Sequence, residues 1–90
     1  MAAKILVEEL TEKAAKNACD ILGLTFTNVK DHLELIKIYL ALSQLMGNNN
    51  VLMYHWIHTH NTQLGYKPIE GIEKNKLKDV LSYLEGSLFV

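Results

Sequence analysis

Ninety residues, 49% of them hydrophobic, with a formal charge of −1, describe one small packed domain and exclude a disordered chain. All nine basic residues are Lys, and without Arg the chain lacks the commonest reader of guanine edges and the preferred phosphate clamp, so it is not expected to bind nucleic acid by itself. One proline and five glycines favour uninterrupted helices over a turn-rich β fold, and the single Cys19 excludes an internal disulfide framework.

The start, Met1-Ala2-Ala3-Lys4-Ile5-Leu6-Val7-Glu8-Glu9, has no signal-peptide apolar region. No apolar run approaches the ~20 residues that span a bilayer, so the expectation is a cytoplasmic protein with no membrane partner. A first helix is predicted from about Ala3 to Leu22, with Leu6, Leu10, Ala14, Ala18 and Ile21 as its apolar stripe. Glu9–Lys13 and Glu12–Lys16 are i,i+4 pairs of the favoured orientation. Cys19, beside Ala18 and Ile21, reads as a small buried hydrophobe. Gly23 is placed to end the helix. This helix can pack on the second one or pair with another copy in a possible homo-oligomer, and both remain open.

Leu24 to Thr27 connects. Thr27 or Asn28 is expected to cap a second helix over Asn28–Met46, with Asp31 in its first turn. Val29, Leu33, Ile36 and Leu40 form one stripe and Leu35, Tyr39, Leu42 and Met46 another, which predicts a central helix packed on several sides. Gly47 ends it, and Asn50 suits the cap of a third helix over Val51–His58. A loop follows from Thr59 to Lys67. Pro68 fits the first position of a short helix reaching Ile72, weakened by Gly71. Leu77, Val80, Leu81 and Leu84 mark a last helix from about Asn75 to Glu85, closed by Gly86, with an apolar tail of Ser87, Leu88, Phe89 and Val90. The fold class is all-α, a small bundle of four to five helices in one domain over 1–90, with an N-terminal helix and connector over 1–27.

His55, His58 and His60 raise the question of a metal. Imidazole suits zinc, and three such ligands with water make a catalytic site. Here the spacing matches no zinc pattern, and no acidic residue follows before Glu70. They read as partly exposed polar residues around a buried Trp56. His32 has no evident partner. Glu70 and Glu73 read as an exposed charged face. Ser43, Ser82 and Ser87 lack a nucleophile-elbow setting, and no glycine-rich phosphate loop is present. The expectation is no enzyme, no cofactor and no metal.

The stretch His55–Pro68 also forms a frame, Trp56-x4-Asn61-x2-Leu64-Gly65-x2-Pro68. Trp56 can anchor the third helix, Asn61 can bond its own loop, Leu64 can pin that loop, Gly65 permits a positive φ, and Pro68 starts the next helix. The frame resembles the toxin-binding domain of the Xre/MbcA/ParS antitoxin family, which carries Trp, then Asn, then Leu-Gly, then Pro. Leu42, Leu45, Met46 and Gly47, and later Val80, Leu84 and Gly86, extend the resemblance over about Leu33 to Gly86. His60 stands where the family often has Pro, and Gly71 where an apolar residue is usual. The N-terminal DNA-binding domain of many members has no counterpart in the segment before the frame.

The resemblance implies inhibition of a RES-type, NAD-consuming toxin by covering its active site. It places toxin contact on the last helix and tail, at Tyr83, Gly86, Ser87, Leu88, Phe89 and Val90. The alternative is an adaptor of the same fold with another partner.

Overall fold

The structure is a computed structural model that describes residues 2–88 and, within them, the side chains of 9–87. Phe89 and Val90 of the expected tail lie outside the described residues. Five helices follow in order: α1 (Ala2–Leu22), α2 (His32–Leu45), α3 (Asn50–His58), α4 (Pro68–Glu73) and α5 (Leu77–Leu88), with a 3-10 turn at Phe26–Asn28. The described residues hold no strand, only an isolated antiparallel bridge between Asn61 and Tyr66. The all-α bundle predicted from the sequence is the observed architecture. No helix among the described residues is long and apolar enough to cross a membrane.

α1 stops where the glycine requires it. Gly23 has φ +70°, and the Leu24 N–H reaches back to Cys19 O at 2.9 Å, which satisfies a last-turn carbonyl. Its buried stripe differs from the predicted one. Ala15, Ala18, Cys19 and Leu22 face the core, whereas Leu10 is 57% exposed and Ala14 is also exposed. The helix carries two apolar stripes, and the buried one lets the small residues Ala15 and Ala18 approach closely while Leu22 fills the interior. Glu12 and Lys16 pair at 3.3 Å, both about half exposed, which contributes little to stability.

Cys19 is 2% exposed, and burial, then Asp20 and Glu73, push its thiol from 9.0 up to about 11. Because the folded state holds the proton more tightly than the unfolded one, this contribution is complete below pH 9.0 and is lost as pH rises to about 11. A thiol reagent at pH 8 should therefore modify the native chain at least ~10-fold more slowly than the urea-unfolded chain. Equal rates would show Cys19 to be open.

α2 begins four residues after the predicted start. The backbone over Phe26–Asn28 forms a 3-10 turn closed by Asn28 N–H to Thr25 O and Val29 N–H to Phe26 O. The true cap is Asp31, whose Oδ1 accepts the Glu34 N–H at 3.0 Å. Leu35, Ile38, Ala41 and Leu42 are buried, but Leu33 and Leu40 are 62% and 56% exposed. The helix is central without being covered all round: of the stripe Val29, Leu33, Ile36 and Leu40, Leu33 and Leu40 face solvent, whereas Ile36 is half-buried and Val29, ahead of the helix, is buried. Gly47 (φ +60°) turns the chain out, with the Asn48 N–H on Ser43 O at 2.9 Å. Asn49, one residue before the predicted cap, caps α3 through the Leu52 N–H at 3.1 Å.

α4 ends on Asn75, at φ 67°, with the Lys76 N–H on Gly71 O at 2.7 Å. Asn75 therefore closes α4 rather than opening α5. Gly86 does not close α5 as predicted. It stays helical, and the helix runs on to Leu88. The directions of the helices matter for the site. Asp31 and Glu34 line one groove with Asn75–Asp79, and Lys37 lines another with Ser82 and Glu85, so α5 runs parallel to α2. After the Gly47 turn α3 ends beside the close of α1, where His58 meets Leu22 O.

Candidate functional site

The loop between α3 and α4 is tied by Asn61. Its Oδ1 accepts the N–H groups of Gln63 at 2.9 Å and Leu64 at 3.0 Å. Its own carbonyl accepts the Gly65 N–H at 2.8 Å, and its N–H donates to Tyr66 O at 3.1 Å. Gly65 sits at φ +87°. Leu64 is half-buried against the core, and Pro68 is buried in the first turn of α4, where it needs no N–H partner. Asn61→Ala removes the acceptor of two backbone donors and should cost about 1–2 kcal/mol, while Asn61→Asp, which keeps the oxygen, should cost less than half of that. Urea melts of the two variants check this; equal losses would remove the Oδ1 contacts as the cause.

The loop leaves Trp56 beside α5. Its indole is half-buried rather than buried as predicted, and lies 6.1 Å from the Tyr83 ring at 22°. The offset-stacked pair joins α3 to α5. Tyr83 is half-buried, and Gly86 and Ser87, one turn further on, are exposed. The Ser87 hydroxyl donates to Tyr83 O at 3.2 Å, and open space surrounds the place of a Gly86 Cβ. Leu52, one turn before Trp56, is exposed next to Val51. Leu52 stands one turn before Trp56 on α3, and Gly86 and Ser87 stand one turn after Tyr83 on α5. Exposed Val51 and Leu52 on α3 and the small exposed residues Gly86 and Ser87 on α5 flank the stacked rings, and this surface is the candidate ledge. Leu88 ends α5, and the tail positions Phe89 and Val90 lie beyond the described residues.

The histidines do other work. His58 Nε2 donates to Leu22 O, a last-turn carbonyl of α1, at 2.9 Å, and its ring stacks on Tyr54 at 4.1 Å. His55 and His60 are exposed, and no group of three His, Cys, Asp or Glu among the described residues could hold a metal. His32 has a partner after all: its ring stacks on Phe26 at 4.7 Å. Glu70 is exposed, but Glu73 is half-buried, and its Oε2 accepts the Thr25 N–H at 3.0 Å, tying α4 to the connector. No local signal in the sequence marks that bond, which spans 48 positions.

Gly71 has a structural reason. A Cβ there would come within 2.5 Å of the Tyr66 ring and 3.2 Å of Val80. The Tyr66 ring occupies the space that a side chain at 71 would use, and burial, then Asp79, raises its phenol above the ordinary value. No family model, characterised protein or solved structure matches the chain.

Proposed function

We propose that the chain is an antitoxin-like module that binds a RES-type toxin and covers its active site with the ledge and the end of α5. The observation that supports this reading most is the Trp56–Tyr83 stack. It joins the loop frame, on which the resemblance rests, to the helix that the resemblance assigns to toxin contact. An aromatic pair beside exposed Leu52 and the small residues Gly86 and Ser87 offers a surface on which a partner can bury apolar area. The Gly71 departure is accommodated inside the chain by Tyr66, so it gives the adaptor reading no support.

The test is a pull-down of the native protein from its own cells, with the bound material assayed for NAD consumption. A stoichiometric partner that consumes NAD only after release supports the reading. A partner without that activity sinks it and leaves the adaptor. A chain ending at Ser87 should keep its helicity and lose inhibition, because it lacks the apolar residues Leu88, Phe89 and Val90.

A further inference from the structure

We infer that α1 pairs with the α1 of a second copy, antiparallel, through the outer stripe centred on Leu10. This goes beyond the toxin reading and stands whether or not the partner is a toxin. α1 is 21 residues long, about 31 Å at 1.5 Å per residue, in a molecule measuring 45 × 25 × 22 Å. Among its residues with described side chains, those in the core begin at Ala15. Of the six residues before that, Glu9, Leu10, Glu12, Lys13 and Ala14 are exposed, and Thr11 is half-buried. Leu10 and Ala14 fall on one stripe, turned away from the stripe of Ala15, Ala18, Cys19 and Leu22 that the bundle covers.

Charge selects the occupant. Two i,i+4 pairs of the same order stand on α1, and only Glu12–Lys16 closes. The Glu9 and Lys13 side chains make no ion pair or hydrogen bond among the described residues. Both flank Leu10 on the same side of its stripe, acid first and base second along the chain. An antiparallel second copy reverses that order. A two-fold axis level with position 11 then sets Glu9 against Lys13 of the other copy, and Lys13 against Glu9, in two symmetric pairs. The same axis brings the two Leu10 side chains together, one residue to either side of it. A parallel copy in register would carry Glu9 and Lys13 of the two copies to opposite flanks of the contact, where neither meets an opposite charge, so only the antiparallel arrangement pairs them.

The contact is one helix face on another and falls short of the ~800 Å² per partner of a stable interface. The dimer is therefore weak and reversible, and it dissociates on dilution.

Sedimentation of the full chain from ~10 μM to ~1 mM tests this, over the range where weak complexes of this kind populate. The wild type should move from monomer to dimer across that range. Leu10→Lys should shift the midpoint at least ~10-fold upward with unchanged circular dichroism, since Leu10 is exposed and leaves the core intact. Glu9→Lys should weaken the dimer, and Glu9→Lys combined with Lys13→Glu should restore it, because the swapped charges again oppose each other across the axis. A wild type that stays monomeric at ~1 mM overturns the inference. So does a dimer that survives Leu10→Lys, or a double swap no better than the single one.

Discussion

Gly23→Ala should destabilise the domain by about 2–4 kcal/mol and lower its melting temperature by about 10 °C or more. Two costs combine. The backbone at φ +70° places an L side chain in the left-handed region, at about 1–2 kcal/mol. The new Cβ would also come within 2.5 Å of the Tyr54 ring and 2.8 Å of His58 Nε2. Tyr54 is half exposed and can swing away, but only by breaking its stack on His58 and disturbing the His58 bond to Leu22 O. Gly65→Ala is the control. Gly65 is also left-handed, at φ +87°, yet nothing lies within 4 Å of its Cβ position, so it should cost only the backbone part. Equal losses at the two sites would refute the docking of α1 on Tyr54 and His58.

Leu42→Ala should cost about 2–5 kcal/mol, because Leu42 is fully buried where α2 meets its neighbours and the cavity cannot collapse around a helix held on two sides. A 90-residue domain has roughly 5–13 kcal/mol in total, so this one change removes a large share. Leu33→Ala, on the same helix and with the same change in volume, should stay within about 0.5 kcal/mol, since Leu33 is 62% exposed. Denaturant midpoints with unchanged slopes measure both. A costly Leu33→Ala paired with a mild Leu42→Ala would mean that α2 is rolled the other way in its bundle.

That pair of leucines shows where sequence reading reaches its limit. Both belong to apolar stripes at helical spacing, and periodicity alone gave no way to rank them. The same holds for α1, where Leu10 and Leu22 are equally plausible inward residues until α2 and α3 are in place. The candidate site was legible in a similarly divided way. Asn61, Gly65 and Pro68 act within a few residues of themselves, so their roles follow from local chemistry. The meeting of Trp56 with Tyr83, 27 positions apart, does not.

By itself, the sequence determined the helical class and most helix ends. Gly23, Gly47 and Pro68 act through their own φ preference or missing N–H, and local backbone chemistry is written in the residues that carry it. Where several polar residues competed, as at Asp31 and Asn49, it was right about the kind of cap and wrong about the position by one to a few residues. Only the tertiary structure decided which stripe of α1 and α2 turns inward, why residue 71 must be small, and which aromatic rings meet. Those outcomes depend on the summed burial of several helices, and no single segment contains that sum.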